Sequence, residues 1–366
     1  MSERPPPAFT PAQAAARWFA AVLGAAIAML IAIGTFNWWV DPFQHFRMAE
    51  RYPPRYYRLL HRFVVPGIVR NAPYDTLLTG SSIVENTRNS TIGTACGGTG
   101  LNAAMPGLAG YEQGLVLRTA FATHALKRAI VVVDFAGYNW APEGRHPLSG
   151  PLPAYLYDAN PFNDAPYLLS WGVLVKSWRI VRGDTSESFR TDADAPWWWA
   201  DEKRFGRSEV VRGLDPLDLN RQFPQAPLKP DLMRRSFDHN LLPLMVAHPE
   251  TEFDVVWPPY SIVVWGDYVQ RHQLDASLAF KRYVQAATRD LPNARIVDLQ
   301  PDAAVTHDLD NYTDLYHFSP AINEWMIGEA CGDRHRIRSA ADVDASERDI
   351  RAQAGAFDPA GLSPPR

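Results

Sequence analysis

Ala129-Ile130-Val131-Val132-Val133-Asp134 is the stretch on which the fold turns. Four consecutive β-branched residues leave no polar face. That is the pattern of a strand buried on both sides, as in a parallel sheet covered by helices. Upstream, residues 74–79 form a strand-like run that enters Gly80-Ser81-Ser82 directly. A short strand is expected around Gly100-Leu101-Asn102, and a helix over 110–126. Downstream, residues 253–257 and 294–299 read as strands, with an amphipathic helix over 274–290 between them. Strands alternating with helices predict an α/β domain over 74–338, a parallel sheet with helices on both faces.

Other segments are less regular. Residues 140–250 carry Pro, Trp and Asp clusters and read as a large insertion or cap, with one helix near 166–182. Residues 41–73 form an Arg- and Tyr-rich connector, and residues 1–17 a Pro/Ala-rich tail. Residues 339–366 are polar and rich in Ala, Asp and Arg, which predicts a disordered tail.

Residues 18–40 contain no charged side chain, and the stretch AAVLGAAIAMLIAIG (20–34) within them is apolar on every face. At about 1.5 Å per residue they can cross a hydrocarbon core of about 30 Å. Trp18 at one end, and Trp38 and Trp39 at the other, fit interfacial belts. Gly34-Thr35-Phe36-Asn37 is a poor signal-peptidase site, so a retained single-pass anchor is expected rather than a cleaved leader. Charge leaves orientation open. Arg47, Arg51, Arg55, Arg58 and Arg62 follow the span, against Arg4, Arg17 and Glu3 before it, yet long domains translocate largely regardless of charge.

The net charge of −4 provides no basic field for a nucleic-acid partner. No Gly-x-x-x-x-Gly-Lys occurs, and Cys96-Gly97-Gly98-Thr99-Gly100 is too short and wrongly placed for a dinucleotide loop, so no cofactor is expected. The only cysteines, Cys96 and Cys331, could be unrelated thiols, or a disulfide if the domain is exported.

Ligands of open parallel sheets gather at the carboxyl ends of the strands. Ser82 follows the first strand there, where backbone N–H groups can face an oxyanion, although Ser is also a common helix N-cap. Asp314-Leu315-Tyr316-His317 follows the last strand. An aspartate three residues before a histidine can accept one imidazole N–H, leaving the other nitrogen to take a serine proton. A helix start or a surface metal site is the plainer reading of Asp314-x-x-His317; His307, Asp308 and Asp310 just upstream could bind a cation, with a solvated acidic loop as the plainer reading.

Together, a Gly-x-Ser after the first strand and an Asp-x-x-His after the last resemble the layout of the SGNH/GDSL hydrolase superfamily. The sequence is similar to its membrane-anchored branch, the proteins related to alginate O-acetylation factors and to the teichoic-acid D-alanyl transfer protein. The stretches carrying the resemblance are LLTGSSIVENT (77–87), LNAAMPGLAGYEQ (101–113), WPPYS (257–261) and VTHDLDNYTDLYHFSP (305–320). The resemblance implies an SGNH-like (flavodoxin-like) fold with Ser82 as nucleophile, His317 as base and Asp314 as its orienter. It implies an oxyanion hole from the N–H groups of Ser82 and Gly107, with Asn139 in the place of the third-block asparagine. The usual Gly-x-Asn-Asp is absent around Asp134-Phe135-Ala136-Gly137-Tyr138-Asn139.

Trp197, Trp198 and Tyr260 are the candidate substrate-binding residues, with core packing as the alternative for the tryptophans. The implied function is a serine esterase or O-acyltransferase acting on a cell-envelope polysaccharide or other glycan. Its domain would lie on the periplasmic side of the inner membrane, beside possible envelope-assembly partners. A catalytically inactive glycan-binding or scaffold module is the alternative.

Overall fold

The computed structural model describes residues 10–212 and 227–362. Six strands form one sheet: β1 (Thr76–Thr79), β2 (Gly100–Asn102), β3 (Arg128–Val132), β4 (Glu252–Trp257), β5 (Ala294–Asp298) and β6 (Arg336–Ile337). Their order is β2-β1-β3-β4-β5-β6. The first five are parallel and β6 is an antiparallel edge. Leu78 pairs with Ile130, Val131 with Val255 and Val256 with Val297, so the apolar run that decided the reading lies at the centre of the sheet. Residues 129–133 are all essentially inaccessible, which is the two-sided burial that their β-branched pattern implies.

Ten helices of eight or more residues occur among the described residues: α1 (Pro11–Val40), α2 (His61–Asn71), α3 (Asn89–Cys96), α4 (Gly110–Thr123), α5 (Trp171–Val181), α6 (Pro230–Asn240), α7 (Ile262–Gln270), α8 (Leu274–Thr288), α9 (Pro320–Cys331) and α10 (Ala340–Ala356). Helices α4, α6 and α8 pack in one layer, and α3 packs with α9 in another. Right-handed crossovers place these layers on opposite faces of a parallel sheet. The chain leaves β1 towards β2 on one side and later enters β3 on the other. The sheet therefore has its topological switch point at β1, where a crevice opens beyond the carboxyl ends of the strands.

Several boundaries differ from expectation. The N-terminal tail was expected to reach residue 17, but α1 begins at Pro11. Thr10 accepts from the Gln13 N–H, and the Gln13 side chain accepts in turn from the Thr10 N–H. This reciprocal cap is a helix start that the Pro/Ala composition obscures. Residues 1–9 lie outside the described residues. Helix α1 is long and apolar enough to cross a membrane, and its most apolar window is not covered by the rest of the chain. The connector holds α2, and the 140–250 insertion is partly integral to the domain, because α6 packs on α4 and α8.

The expected disordered tail from 339 is corrected as far as Leu362. Ser339 and Asp342 cap α10, whose Val343, Ser346, Glu347, Ile350 and Ala354 are buried against the domain. Those positions follow a helical stripe that overall polarity masks. Residues 363–366 lie outside the described residues.

Cys96 at the end of α3 and Cys331 at the end of α9 form a disulfide, with their Cα atoms 5.2 Å apart. It joins positions 235 residues apart, a long loop whose closure restricts the unfolded chain. Replacing both cysteines with serine is expected to lower unfolding stability by about 2–5 kcal/mol. Thermal unfolding of the full chain in detergent, with and without reductant, checks this.

Candidate active site

The strand-to-turn junction after β1 is tight. A Cβ at Gly80 would lie 2.8 Å from Val84 Cγ2 and 3.0 Å from Val132 Cβ, so only glycine lets the chain turn there. The turn delivers Ser82 as the first residue of a single 3-10 turn, Ser82–Val84. Its neighbour Ser81 points away and donates to Asp134 Oδ2 at 3.1 Å.

His317 arrives from the far end of the sequence. The segment between β5 and α9 folds back on itself through a bridge between Tyr312 and Phe318 and a bond from the Thr313 N–H to the His317 carbonyl. Ser82 Oγ lies 2.8 Å from His317 Nε2. His317 Nδ1 lies 2.8 Å from Asp314 Oδ2 and 3.0 Å from Oδ1. Asp314 Oδ1 also accepts the backbone N–H groups of Tyr316 and His317, at 2.8 and 2.9 Å, which fixes the carboxylate before it meets the ring.

Burial raises the Asp314 carboxyl, but its bonds to His317 and to the backbone outweigh that and hold it below the usual carboxylate range. Burial pulls the His317 imidazole down, yet the hydrogen bond and charge of Asp314, with smaller help from Glu85 and Asp134, raise it above its ordinary value. Such an imidazole is a stronger base than a free one.

Asp314 and His317 face a cavity of about 820 Å³ that Trp199, His61, Glu85 and Pro106 also line. The Trp199 ring stands edge-on to His317, with centroids 5.6 Å apart, and its Nε1–H donates to the Ser82 carbonyl at 3.4 Å. Asn86 Oδ1 accepts the N–H groups of Trp199 and Ala200 at 2.9 and 3.0 Å, tying this loop to the turn that carries Ser82. Buried His61 and Glu85 face each other at 3.0 Å on the cavity wall.

Ser82, His317 and Asp314 are thus brought together; the other candidate residues divide. Gly107 sits exposed in the loop between β2 and α4, next to Pro106 on the cavity wall. Arg62 positions that loop, pairing with Glu112 and donating to the Pro106 carbonyl at 3.1 Å. Asn139 does not fit the oxyanion role expected of it. Its Nδ2 donates to the Pro227 carbonyl at 3.0 Å and its Oδ1 accepts the Lys229 N–H at 2.9 Å, so both ends of the amide are engaged elsewhere.

Trp197 is likewise corrected from a substrate platform to a core residue. It is fully buried, lies against the His61 ring and donates to the Asn102 carbonyl. Trp198 is half-buried under Arg88 and bonded to Asp201, away from the cavity lining. Tyr260 is buried, and its hydroxyl donates to Asp134 Oδ1 at 2.9 Å, so it buttresses the strand ends rather than a ligand.

Asn86 and Asp134 escaped the sequence reading, and Trp199 stood in it only as one of the Trp197–Trp199 run weighed as a stacking platform. Only Asp134, closing the apolar run of β3, carried a positional signal. Among the described residues, no group of three His, Cys, Asp or Glu is placed to hold a metal ion. In the acidic loop, His307 bonds Gln353 and Asp310 accepts the Arg207 N–H. Comparison with protein-family models, with curated proteins and with solved structures finds no match to this chain.

Proposed function

We propose that this chain is a membrane-anchored SGNH-like serine acyl-ester enzyme, an esterase or O-acyltransferase, working on a cell-envelope polysaccharide or other glycan. The observation that carries the chemistry is the continuous Ser82–His317–Asp314 hydrogen-bond chain. In the first half-reaction Ser82 Oγ attacks the acyl carbonyl while its proton passes to His317 Nε2. Asp314 stabilises the imidazolium through Nδ1–H. The Ser82 and Gly107 N–H groups face the oxyanion. The leaving alcohol takes the proton from His317, and an acyl-Ser82 ester remains. An acceptor hydroxyl, deprotonated by His317, then attacks that ester and regenerates Ser82. Water as acceptor gives hydrolysis; a sugar hydroxyl gives transfer.

The substrate class rests on the resemblance to the anchored SGNH branch. The strand order, with its crevice beside Ser82, supports the SGNH-like fold. Helix α1 as a single-pass inner-membrane anchor, and the Cys96–Cys331 bond as the mark of an oxidising compartment, support a periplasmic domain. A second reading, an inactive glycan-binding or scaffold module, is favoured by the engagement of Asn139, which removes the expected side-chain oxyanion donor.

Full-length protein in detergent with p-nitrophenyl acetate separates the two. A burst of nitrophenolate in the parent and none in Ser82→Ala supports the enzyme; identical traces support the scaffold. The pH profile gives a further expected result. Since His317 must be neutral to act as base and its pKa is raised above 6.5, activity is lost as pH falls through a midpoint above 6.5. Asp314→Asn removes the carboxylate that raises it, so the midpoint moves to lower pH while the maximal rate drops by about 10⁴-fold.

A further inference from the structure

We infer that α5 is an interfacial helix, seated in the phospholipid headgroup region beside α1, so that the catalytic domain lies against the bilayer rather than swinging from a tether. The inference rests on the reading of α1 as a membrane anchor. Helix α5 is apolar on two faces. Val173, Ser177 and Ile180 point into the domain and are buried. Trp171, Leu174, Trp178 and Val181 recur at helical spacing on the other side, where Trp171 is 75% exposed, Trp178 55% and Val181 52%. Trp171, Leu174 and Trp178 of this face line, with Val175, Arg179, Arg182 and Asp184, a groove of about 670 Å³. An exposed stripe with two tryptophans and flanking arginines is what a helix lying in the interface presents.

The contact with α1 identifies the bilayer as occupant. Asn37 of α1 accepts a hydrogen bond from Ser177 of α5 at 3.0 Å and donates to the Leu168 carbonyl at 2.7 Å. A Cβ on Gly34 would lie 3.6 Å from Leu169 Cδ2, so the segment entering α5 touches α1 six residues before its end at Val40. Six residues of helix are roughly 9 Å, within the depth of about 5–10 Å at which interfacial helices sit. Trp38 and Trp39 share that level and are about half exposed, with Arg47 and Arg51 stacked over their rings at 4.7 and 5.7 Å.

Arg182 lies over Trp178 at 5.9 Å, whereas Arg179 is paired with Glu187 and Asp184. Arg47 donates to the Trp38 and Trp39 carbonyls at the end of α1, which leaves Arg51 and Arg182 as the cations along the belt for lipid phosphates. Lys176, on the edge of the same helix, lines the cavity that Asp314 and His317 also line, so that cavity extends from the catalytic groups to α5. A substrate or acyl donor carried on a lipid can reach it without leaving the membrane.

The test uses the full chain in nanodiscs of phosphatidylethanolamine and phosphatidylglycerol containing doxyl-labelled lipid. A single NBD fluorophore is placed at Trp178→Cys in one preparation and at Leu23→Cys in another. Loss of at least about half of the fluorescence at both positions is expected. Quenching at position 23 with none at 178 overturns the inference and leaves the anchor standing. No quenching at either position overturns both. Quenching at 178 alone removes the anchor, and with it the inference that α5 is seated beside α1 in the bilayer. Quenching of position 178 by aqueous iodide in nanodiscs, with protection from iodide in native membranes, overturns the inference in favour of a protein partner on that face.

Discussion

Ser82→Ala is expected to lower acyl-ester turnover by about 10⁴- to 10⁶-fold, with KM for the ester changed little. The reason is positional. Ser82 Oγ is the group that His317 Nε2 meets at 2.8 Å, and the side chain beside it, Ser81, is bonded to Asp134. Members of such a hydrogen-bonded set act as a unit, so removing one forfeits nearly the whole nucleophilic contribution. Ser81→Ala, by contrast, leaves the reacting atoms in place and loosens only the strand-end support, so a rate loss within about 10-fold is expected. Steady-state kinetics of the two variants, in the same detergent and at a pH above the His317 midpoint, distinguish a nucleophile from its neighbour. Equal losses for the two would show that the turn, rather than the Ser82 hydroxyl, carries the activity.

The largest stability effect is expected at Lys281, far from the site. Its Nζ donates to Asp298 at 2.6 Å, Gln300 at 2.9 Å and Ser346 at 3.4 Å, and all four residues are buried. Burial pulls the Lys281 ammonium below its ordinary value, and the Asp298 carboxylate opposes that pull. Lys281→Met leaves Asp298 buried without its cation, which costs about 3–5 kcal/mol. A double replacement, Lys281→Met with Asp298→Leu, removes both charges and is expected to regain a large part of the loss. Thermal melts followed by near-UV circular dichroism check both results. Because Ser346 belongs to α10, truncation at residue 338 should act in the same direction, by stripping the cover from α7 and α8.

What the sequence revealed and what it hid follow from range. Two-sided burial writes itself into consecutive residues, so β3 and β4 were legible from Val131 or Val255 and their neighbours alone. The Ser82–His317 meeting was legible because both groups follow the carboxyl ends of parallel strands, Ser82 directly after β1 and His317 in the segment that leaves β5, and such ends share one rim. Asn139 misled because position after β3 does not say where an amide points. Here the 227–229 segment of the insertion claims it. Trp197 and Trp199 could not be told apart in a run of three tryptophans. Their environments are set by Asn102 and Asn86, about a hundred residues away. The C-terminal helix was missed because its apolar stripe is thin and its buried positions include Ser346 and Glu347.

Covalent trapping tests the central claim most directly. Full-length protein treated with a fluorophosphonate, digested and sequenced by mass spectrometry should carry the phosphonyl group on Ser82. His317→Ala should abolish labelling at that position. An adduct on another serine, or none at Ser82 at a pH where His317 is neutral, would contradict the account.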